Sequence, residues 1–118
     1  MREKVIEQAL VAAVKRHQGI APKLVCPGYN GMPDRMILMP HGRIGFVEVK
    51  APGKAPRPLQ AARHQMLRSL SFPVFVLDDF AAIPPIIERI AGGRTAAHTD
   101  RYSSAAHSAS PFSGGDGK

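Results

Sequence analysis

The sequence predicts an α/β fold in which helices pack against a mixed β-sheet. Apolar residues recur at helical spacing in residues 3–17, and two apolar runs flank a Pro-His-Gly turn at residues 40–42. Further helix and strand signals alternate as far as residue 90. With 118 residues, 44% of them apolar, the chain can form one compact domain with a real core. The expected order of elements is α-β-β-β-α-β-α.

The first half of the chain supplies the first helix and three strands. Ile6, Leu10 and Val14 share one face of the helix, and Gly19 marks its end. The predicted strands are residues 23–25, 35–39 and 43–50, with a Pro- and Gly-rich loop over residues 26–33.

The second half supplies two helices and one strand. Residues 51–58 form an extended loop that Pro58 ends, because proline favours the first turn of a helix. A buried strand is expected at residues 74–77, and Pro84-Pro85 opens a last helix that ends near Ile90. The helix that begins at Pro58 is expected to turn four apolar residues inward: Leu59, Met66, Leu67 and Leu70.

The charge of the chain points to a polyanionic partner. The formal net charge is +7 and the pI is near 10.2, which favours nucleic acid or an acidic membrane surface. Residues 1–93 hold 13 Lys/Arg and 7 Asp/Glu, a difference of +6, so the basic character lies in the folded part. We expect residues 1–92 to form the domain and residues 93–118, rich in Gly, Ser and Ala, to form a flexible tail.

Several function classes lack support in the sequence. No apolar run approaches ~20 residues, so no membrane span is expected, and Met1–Lys4 does not begin a secretory signal. The single cysteine, Cys26, fits a reducing compartment, so a cytoplasmic location is expected. The histidines show no zinc-ligand spacing, and neither a Gly-x-Ser-x-Gly elbow nor a nucleotide-binding loop occurs.

The predicted hairpin brings two carboxylates together. If residues 40–42 form a three-residue loop, the numbers of paired residues sum to 82, and Asp34 lies directly opposite Glu48. Opposed residues of this kind point to one face of the sheet with Cβ atoms ~5 Å apart. Lys50 shares that face because it follows Glu48 by two residues.

This convergence predicts phosphoryl chemistry. Two carboxylates so close repel each other unless a cation joins them, and Mg²⁺ prefers such oxygen ligands while it keeps several waters. One of those waters is a suitable nucleophile for a phosphodiester, and Lys50 can orient it or stabilise the developing charge. A strand with Glu-x-Lys is more often an ordinary solvated face, but apolar neighbours, Phe46, Val47 and Val49, bury this strand.

Three motifs occur in succession: GMPDR at residues 31–35, GRIGFVEVKAPGK at residues 42–54 and PLQ at residues 58–60. Together they resemble a VRR-NUC domain, the virus-type replication-repair nuclease branch of the PD-(D/E)XK superfamily, from about residue 3 to residue 79. The resemblance implies a restriction-endonuclease-like core with Mg²⁺ or Mn²⁺ as cofactor. It also implies a homodimer, of phage origin, that cleaves branched DNA such as Holliday junctions or flaps in DNA repair.

The resemblance assigns roles to residues of the predicted hairpin. Asp34, Glu48 and the main-chain carbonyl of Val49 match the metal ligands of the family. Lys50 matches the catalytic lysine.

The two helices contribute further matches and some departures. Glu7 matches the acid on the first helix, although Glu3 lies on nearly the same side and helix geometry alone does not separate the two. Gln60 matches the glutamine that opens the second helix. The family has glycines where this chain has Gln18 and Ser71.

Basic residues on loops or edges around the site are candidates for contacts with DNA phosphates. They are Lys23, Arg35, Lys54, Arg57 and Arg63. Each could equally be an ordinary solubilising charge, and the loop of residues 54–57 is the strongest candidate. The expected function is that of a structure-selective DNA endonuclease. The alternatives are a non-catalytic DNA-binding module that keeps the fold, and a domain whose basic face binds an acidic protein.

Overall fold

The computed structural model describes residues 2–92; Met1 and the predicted tail, residues 93–118, lie outside the described part. Two short 3-10 turns, at Pro40–Gly42 and Phe80–Ala82, join successive elements. The helices and strands are α1 (Arg2–Arg16), β1 (Arg35–Met39), β2 (Arg43–Val49), α2 (Pro58–Ser69), β3 (Val74–Leu77) and α3 (Ile83–Ala91). None of the helices within residues 2–92 is both long and apolar enough to cross a membrane.

The three strands form one mixed sheet in the order β1-β2-β3, and this confirms the predicted fold class. β1 and β2 are antiparallel, whereas β2 and β3 are parallel. Met39 lies opposite Arg43 and Arg35 lies opposite Val47, which is the register predicted from the hairpin. His41 (φ 69°) and Gly42 (φ 72°) close the turn in the left-handed region, which glycine adopts without strain.

The strand predicted at residues 23–25 was wrong. Residues 20–24 run beside β1 and make only single bridges, Ile20 with Leu38 and Lys23 with Arg35. Pro22 accepts a hydrogen bond from Met36 but has no N–H to return, so a regular ladder cannot continue through it. The observed order of elements within residues 2–92 is therefore α-β-β-α-β-α.

Helices α1 and α3 cover one face of the sheet. The buried side chains of α1, including Ile6 and Leu10, pack with α3 residues such as Ile87 on the β2 residues Val47 and Val49. Because side chains alternate along a strand, Phe46 and Glu48 of β2 point to the other face. Glu48 therefore faces α2.

The predicted inward residues of α2 were partly wrong. Leu67 is buried, but Leu59 and Leu70 are 46% and 59% exposed. Gln60 and His64 are the other buried residues of this helix, and both are polar. Residues 60, 64 and 67 form one helical stripe, so α2 turns a mainly polar stripe towards the face of β2 that carries Glu48.

Candidate active site

Glu48 lies at the centre of the site. It is the penultimate residue of β2, the middle strand, and is only 2% exposed. Neighbouring strands and α2 enclose it, because β2 is covered on both faces. A carboxylate so deeply buried is unfavourable unless other groups or an ion compensate its charge.

Asp34 precedes β1 by one residue and lies beside the end of β2. Its Oδ2 accepts a hydrogen bond of 2.8 Å from the backbone N–H of Val49. The half-buried Asp34 side chain therefore stays close to Glu48, whose charge it influences. Val49 is 1% exposed and its side chain packs in the core on the α1 and α3 side, so only its backbone can contribute to the site.

Lys50 follows the last residue of β2, and its backbone N–H donates to Leu77 of β3. Its ammonium Nζ lies 3.6 Å from Glu48 Oε2. The structure thus brings Lys50 and Asp34, the two predicted partners of Glu48, to the same carboxylate.

The surroundings of Glu48 raise the pKa of its carboxyl group. Burial, and after it repulsion from Asp34, raises the pKa of Glu48 from 4.5 to about 7, and the Lys50 ammonium opposes the rise only in part. Near neutral pH the carboxyl is therefore poised between its neutral and ionised forms. A divalent cation on the two carboxylates would favour the ionised form.

Gln60 contacts Glu48 directly. Its Nε2 donates to Glu48 Oε2 at 2.9 Å, and its Oε1 accepts the backbone N–H of Arg57 at 2.8 Å. The second contact caps the first turn of α2, so the same side chain fixes the helix start and one oxygen of the carboxylate.

His64 is the residue that the sequence analysis missed. It is 3% exposed, and its Nε2 lies 3.8 Å from Glu48 Oε1. Burial, followed by the charge of Arg68, lowers the pKa of His64, which favours the neutral imidazole. Its position four residues after Gln60 was the available signal, because that spacing places both side chains on one helix face.

The structure separates the two acids of α1. Glu7 Oε2 accepts a 2.8 Å hydrogen bond from Nε of Arg35, whose Nη1 donates to the carbonyl of Ala21. Arg35 and Asp34 are consecutive, so their side chains leave the strand on opposite faces, and Glu7 pairs on the face away from Glu48. The charge of Glu3, by contrast, contributes to the raised pKa of Glu48.

The five basic candidates differ in their environments. Lys23, Lys54 and Arg57 are exposed. The half-buried Arg63 guanidinium stacks on the Tyr29 ring at 3.8 Å, and its Nε donates to the carbonyl of Asn30. Arg63 and Arg35 therefore hold the protein's own loops and strands together.

The donor set suits a hard divalent cation. No group of three or more His, Cys, Asp and Glu side chains within residues 2–92 could hold a metal by itself. Asp34 and Glu48 would have to be completed by the Val49 carbonyl and by water, as Mg²⁺ readily accepts. The fit has support in two observations: the pKa of Glu48 is raised, and its buried Oε1 has no hydrogen-bond partner within residues 2–92.

Comparison with known proteins places the chain in a family, although no protein-family profile matches it. It is 46% identical over 89 residues to the "Putative nuclease p44" of Acyrthosiphon pisum secondary endosymbiont phage 1, an alignment that covers 74% of this chain and 96% of that protein. A solved VRR_NUC domain superposes with a TM-score of 0.71 at 30% identity, over 75% of this chain and 96% of the domain. Sequence and fold together show that the chain belongs to the VRR-NUC nuclease family.

Proposed function

We propose that the chain is a Mg²⁺- or Mn²⁺-dependent endonuclease that hydrolyses phosphodiester bonds in DNA. The convergence of Asp34, Glu48 and Lys50 at the ends of two paired strands supports this function best. Two acids and one ammonium beside a buried strand end suit phosphoryl hydrolysis, because they can bind a cation and stabilise a phosphate at the same place. When bound, the cation would supply charge neutralisation and an acidified water.

Each residue of the proposed site would then have its own role. Asp34 would bind the cation through the oxygen that does not accept from Val49, and Glu48 through the lone pairs of its carboxylate that remain unshared, with the Val49 carbonyl as a further ligand. Gln60 fixes the orientation of Glu48 through its 2.9 Å hydrogen bond to Oε2. Lys50, 3.6 Å from the same oxygen, would orient the attacking water or stabilise charge on the phosphate.

For the acid on the first helix, the ion pair of Glu7 and the weak electrostatic effect of the exposed Glu3 on Glu48 favour Glu3. Glu7 is occupied by Arg35 at 2.8 Å, whereas the charge of Glu3 reaches Glu48. We therefore assign Glu3 to the outer part of the cation site and Glu7 to the attachment of α1 to β1.

The substrate is proposed to be branched DNA, such as a Holliday junction or a flap. The net charge of +6 in residues 1–93 supports binding to a polyanion, and exposed Lys54 and Arg57 lie between Lys50 and Gln60 in the sequence. A homodimer would place two such sites on one junction. The phage relative supports action in the bacterial cytoplasm, where phage DNA is replicated.

Cleavage of end-labelled DNA tests the proposal. Wild-type protein and the Lys50→Ala variant would each be incubated with a four-way junction, a flap and a plain duplex, in Mg²⁺, Mn²⁺ or EDTA. Lys15→Ala, on the last turn of α1, is the matched control. We expect metal-dependent cutting that falls by about 10²-fold or more in Lys50→Ala and is unchanged in the control.

The result also separates the alternatives. Cutting of junction or flap in preference to duplex would support the proposed substrate class. Tight binding of DNA without cutting under any metal would make the chain a DNA-binding module that keeps the nuclease fold.

A further inference from the structure

Two buried polar atoms face each other between β2 and α2. Glu48 Oε1 and His64 Nε2 are 3.8 Å apart, and their side chains are 2% and 3% exposed. Neither atom has a hydrogen-bond partner within residues 2–92. Buried polar atoms are nearly always paired in folded proteins, so an unpaired couple at a catalytic centre points to a contact made in another state of the site.

The helix geometry shows why His64 lies there. Gln60 and His64 are four residues apart on α2 and therefore share one face. Gln60 Nε2 donates to Glu48 Oε2 at 2.9 Å, while His64 faces the other oxygen. Side chains from successive turns of α2 thus face the two oxygens of the Glu48 carboxylate. The gap at Oε1 exceeds an ordinary hydrogen bond by about 1 Å, which a small side-chain rotation can close.

We infer that His64 is a positioning residue, whose Nε2–H donates to Glu48 Oε1 when the ionised carboxylate binds the divalent cation. This inference rests on the proposed metal-dependent function. Carboxylates that ligate metals are themselves hydrogen-bonded, and such partners fix their orientation. His64 and Gln60 would hold Glu48 from two sides, so that its remaining lone pairs face Asp34 and the cation.

The chemistry of histidine suits this role. A neutral imidazole has one N–H to donate and adds no positive charge beside a cation. Lysine or arginine at this place would compete with the metal for Glu48, and an apolar residue would leave Oε1 unpaired. His64 is 3% exposed, and Gln60 and Leu67 on the same stripe of α2 are buried as well, so its ring stays beside Glu48.

The affinity of the full chain for Mn²⁺, measured by calorimetry, tests the inference without reference to cleavage. The variants are His64→Leu, which removes the donor, and His64→Gln, which keeps an N–H. Removing a partner of this kind typically weakens metal binding 10- to 100-fold, and we expect that loss in His64→Leu. His64→Gln should recover part of it, and the exposed His17→Leu should bind Mn²⁺ as wild type does.

Melting temperatures without metal separate this positioning role from a merely structural one. His64→Leu fills the site and removes one of the two unpaired polar atoms, while Glu48 Oε1 stays as it is in the metal-free wild type. Its metal-free melting temperature should therefore equal or exceed that of wild type while its affinity for Mn²⁺ falls. A lower melting temperature in both His64 variants, with equal loss of affinity, would overturn the inference. Mn²⁺ affinity of His64→Leu equal to that of wild type would overturn it as well.

Pulsed electron paramagnetic resonance of the Mn²⁺-bound protein separates positioning from direct ligation. Positioning predicts no strong ¹⁴N coupling from His64. A ¹⁴N coupling that is present in wild type and lost in His64→Leu would make His64 a metal ligand and overturn the positioning role. Wild-type protein that binds no Mn²⁺ would refute the proposed metal dependence itself, and the inference with it, whereas the variant results above bear on His64 alone.

Discussion

The carboxylate of Asp34 accepts the backbone N–H of Val49 at 2.8 Å, one step beyond the last regular pair of β1 and β2. The ladder ends at Arg35 and Val47, so the side chain of Asp34 continues the pairing where the backbone stops. Asp34 therefore has two roles: it closes the end of the hairpin with one oxygen, and it leaves the other oxygen for the proposed cation.

Replacing Asp34 by Asn or Ala should separate these roles. Asn keeps an oxygen that can accept from Val49 and removes the charge that repels Glu48, so Asp34→Asn should be about as stable as wild type in urea denaturation. Asp34→Ala loses the hydrogen bond and should lower the free energy of unfolding by about 1–2 kcal/mol. Both variants should lose Mn²⁺ binding in calorimetry. Equal stability of the two variants would show that the Val49 contact contributes little.

The raised pKa of Glu48 predicts an unusual pH dependence of the metal-free protein. The group has a pKa of about 7 in the fold against 4.5 for an ordinary carboxyl. Its contribution to stability is therefore fully present below pH 4.5 and is lost as pH rises through 7. A difference of this size corresponds to about 3 kcal/mol between the two limits. Urea denaturation in EDTA at several pH values between 4.5 and 8 measures it.

Glu48→Gln is the control for that pH dependence. Glutamine cannot ionise and can still accept from Gln60, so this variant should be more stable than metal-free wild type at pH 8. Its free energy of unfolding should also lack the pH dependence that Glu48 contributes over the range of that experiment. Saturating Mg²⁺ should stabilise wild type at pH 8 but not the variant, by linkage to binding. The same slope in wild type and Glu48→Gln would show that other groups cause it.

Conservative changes at the two acids of α1 should have different consequences. Glu7→Gln removes a partly exposed ion pair with Arg35 and should lower the free energy of unfolding by at most about 1 kcal/mol, with cleavage close to wild type. Glu3→Gln removes a charge that is felt at Glu48 and should lower the affinity for Mn²⁺ and the cleavage rate without loss of stability. Reversed effects would restore Glu7 as the acid of the site.

Much of the site could be predicted from the sequence because a hairpin has few degrees of freedom. A three-residue turn fixes the register, and the register fixes which residues are opposed. The predicted sum of 82 places Asp34 opposite Glu48, and the observed pairing of Arg35 with Val47 confirms that register up to the neighbouring pair.

The polar face of α2 could not be predicted in the same way. Apolar periodicity assumes that a buried stripe is apolar, and it selected Leu59 and Leu70, which are exposed. The true stripe carries Gln60 and His64 because it covers a buried carboxylate. Tertiary context decided the orientation of the helix, and only the position of Glu48 on the facing strand could have revealed it.

Exposed basic residues of the loop before α2 should act on DNA affinity and not on chemistry. Arg57→Ala removes an exposed guanidinium but keeps the backbone N–H that Gln60 accepts. It should weaken binding about equally for all sequences and reduce the slope of log K against log salt by about 1. Fluorescence anisotropy with labelled DNA, at salt concentrations from about 50 to about 200 mM, measures both the affinity and this slope. Arg16→Ala, about 20 Å along α1 from Glu3, is the control and should change neither quantity.

Two residues at which the chain differs from its family have a left-handed backbone. Gln18 (φ 65°) and Ser71 (φ 74°) occupy positions where the resemblance gives glycine. A side chain in this conformation costs about 1 kcal/mol or more, whereas glycine adds conformational entropy to the unfolded chain. We expect Ser71→Gly to raise the free energy of unfolding by about 0.5 kcal/mol.

A matched serine in regular helix makes this prediction specific. Ser69 lies in the last turn of α2, with its Oγ donating to the carbonyl of Met66, so Ser69→Gly should lower the free energy of unfolding by about 0.5 kcal/mol. Thermal melts of the two variants should therefore move in opposite directions from wild type. If both variants were destabilised, the left-handed turn after α2 would store no strain that glycine can relieve, and serine would be the more stabilising residue at position 71.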